Sequence, residues 1–156
     1  QAPGWVQTYE ALGAQATPLA YGELFLALQN GIVDAAELAP DQTVGDGFAE
    51  VISDYTLTRV HQLPSLMLAS AQLSGKLTDE QLAVIREAAP EALAAGIAAH
   101  NAATEAGLET MAEQGIAIHE PDLAPFIEAA REAWPGLLEE IPGGQDLVDQ
   151  LVGSSM

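Results

Sequence analysis

Thr78-Asp79-Glu80-Gln81 opens the segment whose conformation this sequence dictates most firmly. A threonine followed three residues later by glutamine is a capping-box pattern. The hydroxyl takes the N–H of the third helical residue, and the glutamine reaches back to the threonine N–H. Beyond it, Leu82, Ile85, Ala89, Leu93, Ile97, His100, Thr104, Leu108 and Met111 recur on one helical stripe, until Gly115 follows Gln114 as a stop. At 1.5 Å per residue a helix over 78–114 is roughly 50 Å long, more than the width of a small domain. In a chain of 156 residues it must cross between bodies, fold back or protrude. Pro90 predicts a kink, because it removes one N–H donor and crowds the previous turn.

Composition narrows the function. Hydrophobic types make up 49% of the chain and follow periodic patterns, which excludes a disordered polypeptide. A chain of this size buries roughly 68–70% of its unfolded surface. Four Lys and Arg against 23 Asp and Glu leave a net charge of −19, which repels phosphate and anionic lipid. Nucleic acid and acidic membrane surfaces are therefore excluded as partners. Cysteine is absent, so there is no disulfide, thiolate nucleophile or Cys-ligated zinc, while cytosol and periplasm both stay open. No uncharged apolar run reaches the roughly 18 residues that a spanning helix needs. The sequence starts at Gln1 with neither an initiator Met nor a basic-then-apolar leader, from which processing, truncation or an upstream segment is expected.

The remaining elements are shorter. A helix is predicted over 3–12, an extended run over 16–21, a helix over 22–29 stopped by Asn30-Gly31, and a strand over 32–36. Residues 40–47 read as a turn, 48–52 as a short helix, and 55–60 and 63–71 as strands. After the long helix come a strand at 116–119 and a helix capped by Asp122 and interrupted at Pro135-Gly136. A last helix is predicted over 146–152. Strand, helix and strand in close succession imply an α/β fold.

Enzyme signatures are scarce. Ser74-Gly75-Lys76 ends like a phosphate loop, but Ser70 stands where the first glycine is needed. Gly45-Asp46-Gly47 lacks a third glycine, and no nucleophile-elbow pattern occurs. His61, His100 and His119 lack the i,i+4 spacing of a helical metal site. His100 reads as a packed residue, and His61, between two predicted strands, as a loop residue placed to meet a ligand. Most acids line outer helix faces, whereas Asp34 and Glu37 flank an apolar run at a predicted strand end, where open α/β folds bind ligands. No acid, base and nucleophile converge, so no catalysis, cofactor or metal is expected.

The stretch YEALGAQATPLAYGELFLALQNGIVDAAE, residues 9–37, resembles the DctP-like solute-binding proteins of tripartite ATP-independent periplasmic (TRAP) transporters. Their usual form includes an aromatic followed by "GE-x-Y/F-x-ALQ-x-G". The likeness continues through FAEVISDYTLTRVHQLPSLMLAS, the opening of the long helix, and EQGIAIHEPDLAPFIEAAREAW. It covers nearly the whole chain but only the second half of such a protein.

The resemblance implies a periplasmic-binding-protein-like α/β lobe with a long kinked helix, the second lobe plus part of the first. Residues 1–60 would form a second-lobe segment, 61–77 a strand and turn crossing to the first lobe, and 78–114 a bridging helix. Residues 115–156 would return to the second lobe. The implied function is capture of a small organic acid in the periplasm and delivery to TRAP membrane permease subunits. The partner within the receptor would be a missing N-terminal half or a second copy. Family members grip the ligand carboxylate with an arginine, whose planar fork suits bidentate bonding. By alignment it would lie before Gln1, and Arg59, Arg86 and Arg131 do not match it.

The resemblance makes Tyr21 the aromatic against the ligand and places Trp5 beside the cleft. Glu37 falls on the acid before a pocket asparagine of sugar-acid binders, which Leu38 replaces here, favouring a smaller or more apolar acid. His61 and Gln62 fall on a loop that reads WHEP in metal-assisted members; here it is VHQLP, and a metal is not favoured. The alternative reading is a self-associating module, helical or strand-swapped, that binds no ligand.

Overall fold

The capping box forms as the sequence predicts. Gln81 N–H donates to Thr78 Oγ1 at 3.3 Å, and Thr78 N–H donates to Gln81 Oε1 at 3.0 Å. The structure, a computed structural model, describes residues 3–60, 66–138 and 141–153. Its elements are α1 (Pro3–Ala11), α2 (Tyr21–Gln29), α3 (Pro40–Gly45), a 3-10 turn (Phe48–Glu50), β1 (Asp54–Thr56) and α4 (Ala71–Ser74). They continue with α5 (Asp79–Glu113), β2 (Ala117–His119), α6 (Ala124–Leu138) and α7 (Gly144–Gly153).

The long helix is α5, 35 residues with Pro90 inside it. Gly115, at φ +86°, ends it, since that backbone region is costly for residues with a Cβ. Gly115 N–H then bonds to Ala112 C=O and Ile116 N–H to Met111 C=O, each at 3.0 Å, which satisfies two terminal carbonyls. Ile116 and Met111, the apolar residues on either side of this motif, are both buried.

The described residues group into two compact units. One comprises those within Gln1–Ala36, Thr56–Thr58 and His119–Met156, the other those within Glu37–Tyr55 and Arg59–Ile118. In the second unit α3 packs on α5, where Gly107 lets the two backbones approach closely. Met111, Phe48, Ile116 and Thr43 are buried there. Thr43 Oγ1 satisfies itself by donating to Ala39 C=O at 2.9 Å. By contrast, all of residues 90–103 of α5 are exposed, including Leu93 and Ile97, as are Leu66, Met67 and Leu68 before α4.

In the first unit α1 packs on α6, and α7 folds back on the end of α6 over the buried Gly144. Asp122 Oδ1 accepts from Ala124 N–H at 3.0 Å, the expected cap of α6.

β1 and β2 form a two-stranded sheet. Ala117 N–H donates to Ser53 C=O, and Leu57 N–H donates to His119 C=O, both at 2.9 Å. The bonded positions advance together along both strands, so the pair is parallel. Parallel neighbours need a long crossover, and α5 lies within it. The expected α/β class is met, with helix far outweighing strand.

Several expectations are corrected. Residues 14–20 and 35–39 carry no regular structure, and neither the run ending at Tyr21 nor the one over 32–36 is a strand. Tyr21 instead opens α2. The predicted turn at 40–47 is largely helix, because Pro40 at the first helical position has its φ already set for a helix. The strand over 55–60 is reduced to Asp54–Thr56, with Arg59 at φ +49° turning the chain away. Of the predicted strand over 63–71, residues 63–65 lie outside the described residues. Residues 66–70 join no ladder, and Ala71 begins α4. Pro135 does not break α6, which continues to Leu138. A proline there forfeits a single bond close to the helix end.

Candidate functional site

Glu37 and Leu38 begin the second unit and lead directly into α3. Glu37 is exposed and Leu38 half-buried. Tyr55, from β1, donates its hydroxyl to Leu38 C=O at 2.7 Å. The next carbonyl, that of Ala39, accepts both Thr43 N–H at 2.8 Å and Thr43 Oγ1. Two successive peptide groups are thus held from two different elements.

Burial, followed by the charges of Glu37 and Asp41, pushes the Tyr55 phenol from its ordinary 10.0 up to about 12. A neutral phenol remains a donor throughout the physiological range. Asp41 lies in the first turn of α3. Its Oδ1 is shielded from solvent with no hydrogen-bond partner among the described residues. Its Oδ2 is 3.8 Å from Nδ1 of His100 on α5, beyond hydrogen-bond range.

Tyr21 and Trp5 belong to the other unit. Tyr21, at the first position of α2, is 52% exposed, and Trp5 is half-buried in α1. His61 and Gln62 lie outside the described residues. The structure therefore joins Glu37 and Leu38 to Tyr55, Asp41 and His100 in one neighbourhood. Sequence reasoning missed Tyr55 and Asp41. A Pro-Asp start to a helix was the available signal for Asp41. Tyr55 bonds to a main-chain carbonyl, which leaves no trace in the partner's residue type. His100, expected as a packed residue, is exposed beside Asp41.

Arg131 lies on α6 and lines a surface hollow with Ala124, Ile127, Glu128 and Glu132. No group of three or more His, Asp or Glu among the described residues is arranged to hold a metal ion.

Residues 1–140 match the family model DctP, described as bacterial extracellular solute-binding protein, family 7. The chain belongs to this family. Family 7 is a family of binding proteins, in agreement with the expectation that the chain is not an enzyme. A solute-binding protein of Chromohalobacter salexigens is 28% identical over 148 residues, covering 94% of this chain and 44% of its own. The ectoine-binding periplasmic protein TeaA of Halomonas elongata is 30% identical over 154 residues, covering 95% and 45%. A TRAP periplasmic solute-binding protein of Chromohalobacter salexigens, solved with bound d-glucuronate, matches with a TM-score of 0.88 at 27% identity. That match covers 96% of this chain and 50% of the other. The chain therefore spans about half the length of the family 7 proteins it matches. Among its described residues no helix is long and apolar enough to cross a membrane.

Proposed function

We propose that this family 7 chain forms part of a periplasmic TRAP receptor that captures a small organic acid and passes it to membrane permease subunits. The observation that carries this reading is the match across 96% of the chain to a d-glucuronate-bound TRAP protein. TeaA, a second relative, is named for ectoine, which is also a small carboxylate. On this reading Tyr21, Trp5, Glu37, Leu38, His61 and Gln62 contact the solute. Leu38 favours a less hydroxylated acid over a sugar acid, since an aliphatic side chain offers a hydroxyl no partner.

The part of the relatives' length that this chain does not match supplies the opposing wall of the cleft and the cation that grips the carboxylate. On this reading 61–77 cross between the lobes and 78–114 is the bridging helix. The exposed apolar residues Leu93 and Ile97 support that role for α5, because the apolar stripe of a helix ordinarily packs against another element. A second copy of the chain is less favoured as the covering partner, since two bodies of charge −19 repel one another.

Calorimetric titration and thermal melts with ectoine, d-glucuronate and an uncharged sugar test the proposal, on protein that carries this chain together with the part of the relatives' length it does not match. Saturable binding of one acid is expected, with stabilisation of about 2.7 kcal/mol at a hundredfold excess over Kd. No response to any carboxylate, together with stability that depends on protein concentration, would replace it with the self-association reading.

A further inference from the structure

We propose that Tyr55 is a positioning residue for solute capture, whose hydroxyl fixes the Leu38 carbonyl and thereby sets where Glu37 and Leu38 stand. The inference rests on the reading of Glu37 and Leu38 as solute contacts. Its structural basis is the 2.7 Å bond from Tyr55 to Leu38 across 17 residues of sequence.

Residues 35–39 have no helix or strand to hold them, so their placement depends on individual tethers. Thr43 holds the Ala39 carbonyl from the α3 side. Tyr55 holds the preceding carbonyl from the β1 side. Leu38 and Tyr55 both belong to the second unit, so the bond lies within it. Loss of one such bond releases a binding loop without emptying the core, because the ring of Tyr55 remains in a phenylalanine variant.

The test is Tyr55→Phe in protein that carries this chain together with the unmatched part, titrated with ectoine and with d-glucuronate and followed by amide hydrogen exchange. Affinity for whichever acid the wild type binds should fall about tenfold, the equivalent of about 1.4 kcal/mol. Exchange should quicken at residues 37–39 and stay unchanged around Met111. Met111→Ala is the control: it weakens the core, and below its melting temperature it should leave affinity unchanged. A Tyr55→Phe chain that binds as the wild type does would overturn the inference while leaving the solute-binding reading intact. A wild type that binds neither acid removes that reading and this inference with it. Should Tyr55→Phe fail to fold, wild-type exchange at 37–39 decides. Saturating solute must slow it by linkage, and no change refutes the positioning role.

Discussion

A methyl group on Gly107 would meet the carbonyl carbon and oxygen of Pro40 at 2.7 Å and the amide nitrogen of Asp41 at 3.0 Å. Those atoms are main chain at the start of α3, so they cannot swing aside as a flexible side chain would. Gly107→Ala gains about 1 kcal/mol of helix propensity. It also forces α3 and α5 apart, and overpacking of this kind costs about 1–3 kcal/mol. A net loss of about 2 kcal/mol is expected in urea denaturation, because the clash involves two backbones. A variant as stable as the wild type would mean that the helices separate freely.

Thr78→Ala removes one half of the capping box and leaves the Gln81 N–H without its acceptor. The cost should be about 1 kcal/mol. Faster amide exchange should be confined to the first turn of α5. Thr78→Asp retains an acceptor and should restore most of the loss.

Alkaline titration isolates Tyr55. Its phenol holds its proton more tightly in the folded chain than in the unfolded one, from 10.0 up to about 12. Between those values the unfolded state binds fewer protons, so stability falls as pH rises. The contribution is fully present below about pH 10 and is lost through about pH 12. Subtracting the Tyr55→Phe curve from that of the wild type should give a difference that is flat below pH 10 and declines above it. A flat difference across the whole range would show that the phenol is not protected.

His100→Ala should change stability by less than about 1 kcal/mol. Its Nδ1 stands 3.8 Å from Asp41 and its side chain is 63% exposed. An exposed contact at this distance contributes little. A loss of several kcal/mol in denaturant titration would show the pair to be tighter than this geometry.

The parts of the fold that were legible in the sequence are those whose signals are local. Thr78, Gln81 and Gly115 fix both ends of α5 within a turn of the residues concerned, and Asp122 does the same for the start of α6. The helix over 40–45 was misread because proline and aspartate serve turns and helix starts equally well. The parallel pairing of β1 with β2 was hidden for a different reason. A short apolar run announces a strand but not its distant neighbour. In the candidate site, Glu37 stands out by its place beside an apolar run, and Leu38 through the family resemblance. The bond that secures them does not, because a tyrosine hydroxyl can address any carbonyl in reach.

The parallel ladder has a consequence for the newborn chain. β1 leaves the ribosome before any of α5 and long before β2, so its hydrogen-bonding edge has no mate while the intervening segment is translated. The helix can coil as soon as it emerges, since its contacts are local, whereas the strand pair must wait for a large loop to close. Assembly of this unit is therefore timed by the arrival of Ala117–His119, and a chain cut short before that point would carry a finished α5 and a bare β1.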